Sequence, residues 1–153
     1  MARPIGLVAA PRARRGGIVR ARDQFDPSPL FRRARDYCER QGMEWYILSA
    51  THHLLSPQQV IGDDRAHVRE LSVADRARWV STVVERLSDL RDRSGDPVVF
   101  VLYTGQVYVS VLLRKAPHLP FETPLAGLDF VGRLRWFDER LEVRSRLLRP
   151  PGD

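Results

Sequence analysis

Cysteine occurs once in this chain, at Cys38, and lysine once, at Lys115. A lone cysteine excludes an internal disulfide framework and fits a reducing, cytoplasmic compartment. No apolar run approaches the roughly 20 residues of a membrane span. The opening "MARPIGLVAAP" has a short apolar stretch, too short for a secretory signal and followed by arginines, so it reads as a first strand. Phosphate-cradling glycine loops are missing: "GQVYVSVL", from Gly105, lacks the glycines of a P-loop or a dinucleotide fingerprint. No G-x-S-x-G elbow surrounds Ser49, which argues against a serine hydrolase. Paired cysteines and H-E-x-x-H are absent, so neither a metal nor a cofactor is predicted. Zinc fingers and RNP-like aromatic pairs are missing too.

What is present is the composition of an ordinary soluble globular domain. The 153 residues are enough for one core, and residues 1–148 read as one domain with a tail at 149–153. Charge is unevenly spread. Between Arg12 and Arg35 there are eight arginines against Asp23 and Asp26, a surplus equal to the +6 of the whole chain. Such a patch attracts phosphate, as nucleotide or as nucleic acid. Genome base composition is the competing explanation, since arginine almost wholly replaces lysine.

Strand-like and helix-like segments alternate. "PIGLVAA" (4–10) is a buried-strand pattern closed by Pro11, and the basic stretch to Pro27 reads as an irregular loop. Ser28 as N-cap and Pro29 at the first helical position open a helix that Gly42 ends, with Cys38 facing the core. "EWYILS" (44–49) is the second strand. Ser72 and Asp75 form a capping-box-like start to a helix presenting Val73, Ala77, Val80, Val84 and Leu87, flanked by Trp79 and Val83. "PVVFVLY" (97–103) is the third strand. "TGQVYVSVLLRKA" reads as a helix, with strand as the alternative its β-branched content allows. A short strand near 120–123 and a helix from about Asp129, with Phe130, Leu134, Phe137 and Leu141 inward, complete the pattern. Its arginines 133, 135, 140, 144 and 146 spread over several faces, as on a solvated surface. The alternation predicts an α/β domain: a small, mostly parallel sheet of about four strands flanked by helices.

In such sheets, ligands bind beyond the carboxyl ends of the strands. Three loops are expected to gather there: "APRARRGG", "SATHHLL" and "TGQVY". Their candidate ligand-binding residues are Arg12, Arg14, Arg15, His53, Thr104, Gly105 and Tyr108. The candidate catalytic residues are His52 as acid–base, Asp63 or Asp64 to orient a ligand or stabilise charge, and Ser49, which could also bind phosphate. A zinc site from His52, Asp63, Asp64 and His67 is conceivable, but adjacent histidines on an extended chain point apart. Polar turn residues without function are the plainer alternative for this whole segment.

The stretches "SPLFRRARDYCERQGMEWYILSATHHLLSPQQVI" and "PLAGLDFVGRLRWF" resemble a family of small uncharacterised bacterial domains. Its pattern is S-P-L-F-x-x-A-R, then W-Y-I-L-S-A-K-H-G-L-L, then P-L-x-G-L-x-I-G. More distantly the pattern is similar to the YaaA peroxide-stress proteins. The resemblance covers Ser28 to Phe137 and implies an α/β domain with a polar pocket. For the YaaA group it implies DNA binding in oxidative-stress protection, and α/β domains of similar outline act on nucleobases or their glycosidic bonds. Ser28, Pro29, Leu30, Phe31, Ser49 and His52 match the pattern. Its lysine is Thr51 here, its glycine is His53, and its proline, tyrosine and aspartate read Asp63, Asp64 and Arg65. A Cys- and Lys-containing signature after the first strand becomes "AAPRAR". A kept scaffold with altered polar positions implies retuning to another substrate, or loss of activity.

The sequence therefore predicts an enzyme or ligand-binding protein for a nucleoside, nucleotide or related anionic small molecule. Hydrolase-like glycosidic or base chemistry with His52 is the reaction envisaged. The alternative is non-catalytic, YaaA-like DNA binding through the arginine-rich segment.

Overall fold

The computed structural model describes residues 1–147, with side chains to residue 142. The expected tail at 149–153 and the side chains of Arg144 and Arg146 lie outside the described residues. In chain order the elements are β1 (Arg3–Ala9), β2 (Val19–Arg20), α1 (Ala21–Gln24), α2 (Pro29–Arg40), β3 (Glu44–Ser49), β4 (His53–Leu55) and β5 (Val60–Ile61). A 3-10 turn (Val68–Glu70), α3 (Val73–Arg93), β6 (Val98–Tyr103), α4 (Gln106–Lys115), β7 (Phe121–Glu122) and α5 (Phe130–Leu147) follow.

The main sheet has five strands in the order β4-β3-β1-β6-β7. All its neighbours pair in parallel except the antiparallel β3–β4 hairpin. The α/β expectation holds, with one strand more than the four foreseen. β1 lies at the centre, so its side chains are buried on both faces. Ile5 and Leu7 join Phe100, Leu102 and the α3 and α4 residues Val83, Leu87, Val109 and Leu112. Val8 and Ala10 join Trp45, Ile47, Val101 and Tyr103 under α2 and α5. Gly6 lies where α2 presses closest. A Cβ there would sit 2.9 Å from the Cys38 Sγ and 3.1 Å from the Met43 Sδ, so only glycine leaves the helix room.

Two helical faces differ from expectation. On α3 the buried residues are Trp79, Val80, Val83 and Leu87, whereas Ala77 is exposed and Val73 is 90% exposed. The indole explains this rotation: turning Trp79 inward buries more apolar area than Val73 could, and its Nε1 donates to the Ser49 carbonyl at 2.8 Å. On α5 Phe137 is fully buried and packs with Trp136 and Tyr37, while Phe130 is 54% exposed in the first turn. α4 is helical, not a strand: Tyr108, Val109 and Leu112 recur at helical spacing on one buried face.

The basic stretch 11–27 is not irregular throughout. β2 pairs antiparallel with β5, and α1 follows directly. Gln24, wholly buried, fastens the stretch: its Oε1 accepts from Gly16 N at 2.8 Å, and its Nε2 donates to the carbonyls of Gly17 and Gly62 at 3.0 and 3.1 Å.

"SATHHLL" is not an open loop but the turn of the β3–β4 hairpin, in which Ser49 pairs with His53. His53 has φ of +63°, the left-handed region glycine favours. The glycine of the resembling pattern falls at this position, and this chain accepts the strain of a Cβ there. His53→Gly and His53→Ala both remove the imidazole, but only glycine relieves the backbone. The glycine variant is expected to unfold at higher urea, more stable than the alanine variant by about 1 kcal/mol. Coincident curves would show that no strain is stored there.

Candidate functional site

β1 connects to β3 on one side, whereas the next crossover carries the chain past β1 to β6 on the other. The carboxyl ends of β1 and β6 therefore form the switch point of the sheet, where crossovers diverge and leave a crevice. A cleft of about 240 Å³ opens there. Its walls come from the end of β1 (Val8 to Arg12), the start of α2 (Ser28, Leu30, Phe31, Ala34), the His67–Arg69 segment, the β6–α4 junction (Tyr103, Thr104, Gly105, Tyr108) and Arg133 of α5.

Two helices begin at this cleft, as βα units require. Ser28 caps α2 by accepting from Phe31 N at 3.1 Å, and Pro29 has no N–H, so Leu30 N–H remains open. α4 starts at Gly105, and no side chain caps it. The Gly105 carbonyl takes the N–H groups of Tyr108 and Val109. Those of Gln106 and Val107 are left open by α-helix geometry. Against this positive end lies a cation: a Cβ placed on Gly105 would be 3.4 Å from Nη1 of Arg133. A guanidinium is repelled by a helix N-terminus, and an anion between them reverses the sign of both interactions.

Two further polar groups at the cleft lack partners. The Arg133 Nε and the Tyr108 hydroxyl are buried with no hydrogen bond among the described residues. Tyr108 is only 4% exposed, packed edge-on against Trp79, and burial pushes its phenol up to about 12, so it stays a donor. A buried polar group left without a partner costs about 1–3 kcal/mol.

His67 completes the set. It is buried, and its Nδ1 accepts from Arg69 N at 3.1 Å, which leaves Nε2 to carry the proton of the neutral ring. Burial, then Arg12 and Arg69, lower its pKa, and burial followed by Arg86 and His52 lowers that of His53. The unfolded chain takes up these protons more readily than the folded one. Stability is therefore expected to rise with pH through the window just below about 6.5, the ordinary histidine value, and to be lost as pH falls through it. Urea unfolding of His67→Gln across that window should show a shallower slope; an unchanged slope would show that His67 is not held neutral.

Of the residues singled out from sequence, Arg12, Thr104, Gly105 and Tyr108 line the cleft. Arg14, Arg15, Ser49, His52, His53, Asp63 and Asp64 do not. Arg14 is structural: it lies 4.5 Å over the Phe25 ring, and its guanidinium donates to the carbonyls of Pro11, Asp64 and Ala66. Arg15 pairs with Asp26 at 3.8 Å. The Ser49 Oγ accepts from His52 N within the hairpin turn, and the His52 carbonyl accepts from Arg86. Asp64 accepts from Thr51 at 2.6 Å and from Ala66 N at 2.9 Å, and these bonds, with Arg14, hold its carboxyl below its ordinary range. Asp63 is exposed in the loop after β5. Among the described residues no cluster of three or more His, Cys, Asp or Glu is placed to hold a metal ion.

Sequence reasoning missed Arg69, read Arg133 as part of a solvated surface whereas it lines the cleft, and considered His67 only as a zinc ligand. One signal was available for Arg133: it directly follows the glycine of the "PLAGLDFVG" motif.

A family model, "Family of unknown function (DUF6884)", matches residues 5–139. No curated protein and no solved structure matches the chain, so the likeness to the peroxide-stress proteins finds no support in these comparisons.

Proposed function

The chain belongs to the DUF6884 family, whose description assigns no activity, and from the cleft alone we propose that it binds a small anionic ligand, phosphate-bearing and nucleoside- or nucleotide-like. The observation that carries this reading is the Arg133 guanidinium set against the uncapped start of α4. Only an anion makes that juxtaposition favourable. Apolar walls from Val8, Leu30 and Phe31 suit the uncharged part of such a molecule.

For catalysis, His67 and Tyr108 are the groups the cleft offers, both as donors: Nε2–H and a phenol. A hydrolase or transferase would use them to stabilise a developing anion, with Thr104 and the α4 N–H groups alongside. The reaction envisaged with His52, Asp63 and Asp64 needs those residues to reach a ligand from the neighbouring hairpin and turn.

DNA binding through the arginine-rich segment has less to support it. Arg22 pairs with Asp23 and Glu39, Arg33 with Asp138, Arg35 with Asp36 and Arg15 with Asp26. With Arg12, which pairs with Glu70, five of the segment's eight arginines are engaged within the chain. The lone, buried Cys38 supports placement in a reducing, cytoplasmic compartment.

Thermal unfolding in the presence of orthophosphate, nucleosides, nucleotides, sugar phosphates and a short DNA duplex tests the proposal. A ligand at about 100 times its dissociation constant stabilises by about 2.7 kcal/mol. Phosphorylated small molecules are expected to raise the midpoint at near-physiological salt. A shift with duplex alone, fading as salt rises, would replace this reading with the DNA-binding one.

A further inference from the structure

The charge of the cleft identifies the kind of anion, given the anion-binding reading on which this inference rests. Three guanidiniums line it, those of Arg12, Arg69 and Arg133, and no carboxylate does. Arg12 already has a counter-ion, Glu70, at 3.4 Å. Among the described residues no ion pair engages Arg69 or Arg133. Two guanidiniums are thus uncompensated, and the positive end of α4 adds to them.

We infer that the ligand presents a phosphomonoester in its dianionic form together with a single flat ring. A carboxylate or a sulfate ester brings one negative charge and leaves one guanidinium facing the α4 N-terminus unmatched. A phosphodiester within nucleic acid also has one charge per phosphate. A phosphomonoester carries close to two above its second pKa of about 6. Arg133 and the Gln106 and Val107 N–H groups meet its oxygens from one side, and Arg69 meets them from the His67 segment.

The rest of the lining sets the body of the molecule. Ala10, Leu30, Phe31 and Ala34 form an apolar wall. At about 240 Å³ the cleft is smaller than the roughly 300–1,000 Å³ of pockets for drug-sized ligands, so it suits one ring and not a dinucleotide. The Tyr108 hydroxyl, nine-tenths buried and unpartnered, is the independent sign that a ligand belongs here: it donates to an acceptor the protein itself does not supply.

Isothermal titration of the full chain at pH 7.5 with phenyl phosphate, phenyl sulfate, phenylacetate and orthophosphate tests this. The first two share shape and differ by one charge. Phenyl phosphate is expected to bind at least tenfold more tightly than each of the other three. Arg69→Gln, checked for an unchanged unfolding midpoint, should reduce its advantage over phenyl sulfate to less than threefold; Arg69→Lys should restore most of it. Equal binding of the three aromatic anions would overturn the dianion and leave the anion cleft standing. Orthophosphate binding as tightly as phenyl phosphate would overturn the ring. Binding by none of the four would remove the anion cleft itself.

Discussion

Replacing Gln24 by leucine is expected to lower the stability of the protein by about 2–3 kcal/mol, with the urea m-value unchanged. The side chain is fully buried yet makes three hydrogen bonds, to Gly16, Gly17 and Gly62. Leucine has similar bulk, so the core keeps its volume while one N–H and two carbonyls lose their partner. Those groups lie near the surface, and water recovers part of the loss, which is why the figure is not larger. There is a second consequence. Gln24 fastens the stretch from which Arg12 reaches the cleft, so the variant should also bind anions less tightly. A loss below about 0.5 kcal/mol would mean that the basic stretch is held by β2–β5 pairing alone.

Arg133→Gln is expected to do two opposite things. The ligand-free protein should become more stable by about 0.5–1 kcal/mol, because a cation is removed from beside a helix N-terminus. Stabilisation by phosphate should at the same time fall sharply, since a hydrogen bond to a charged group contributes about 1.5–3 kcal/mol, equivalent to a loss of affinity of roughly 10- to 100-fold. Thermal unfolding with and without phosphate measures both effects. A strain maintained for binding and harmful to the empty fold is the signature of a functional site. A destabilised variant with an undiminished phosphate response would instead make Arg133 a strut between α5 and the sheet.

Where burial follows a simple period, the fold was legible. β1, β3 and β6 are short apolar runs closed by turn residues, Ser28-Pro29 marks the start of α2, and Ser72 caps α3 by accepting from Asp75 N. Elements held by single long-range contacts were not legible. β2 and β5 are two residues each, too short for periodicity, and they exist because Gln24 and the Ala21 N–H tie them together. The His52-His53 pair drew attention as catalytic chemistry, whereas one of the two occupies a left-handed turn position usually given to glycine. Arg12, Thr104, Gly105 and Tyr108 lie at the cleft because topology places the ends of β1 and β6 together. His67, Arg69 and Arg133 follow only two-residue strands, β5 and β7, neither of which ends at the cleft's switch point, and only the folded chain shows that they converge.

The anion cleft between β1 and β6 can be tested by following backbone amides in ¹H–¹⁵N spectra while orthophosphate is added at constant ionic strength. The largest, saturable shifts are expected at Gly105, Gln106, Val107 and Leu30, with the Arg133 Nε resonance moving in step. Shifts confined to Arg15 through Arg33, unsaturating and with Gly105 unmoved, would contradict it.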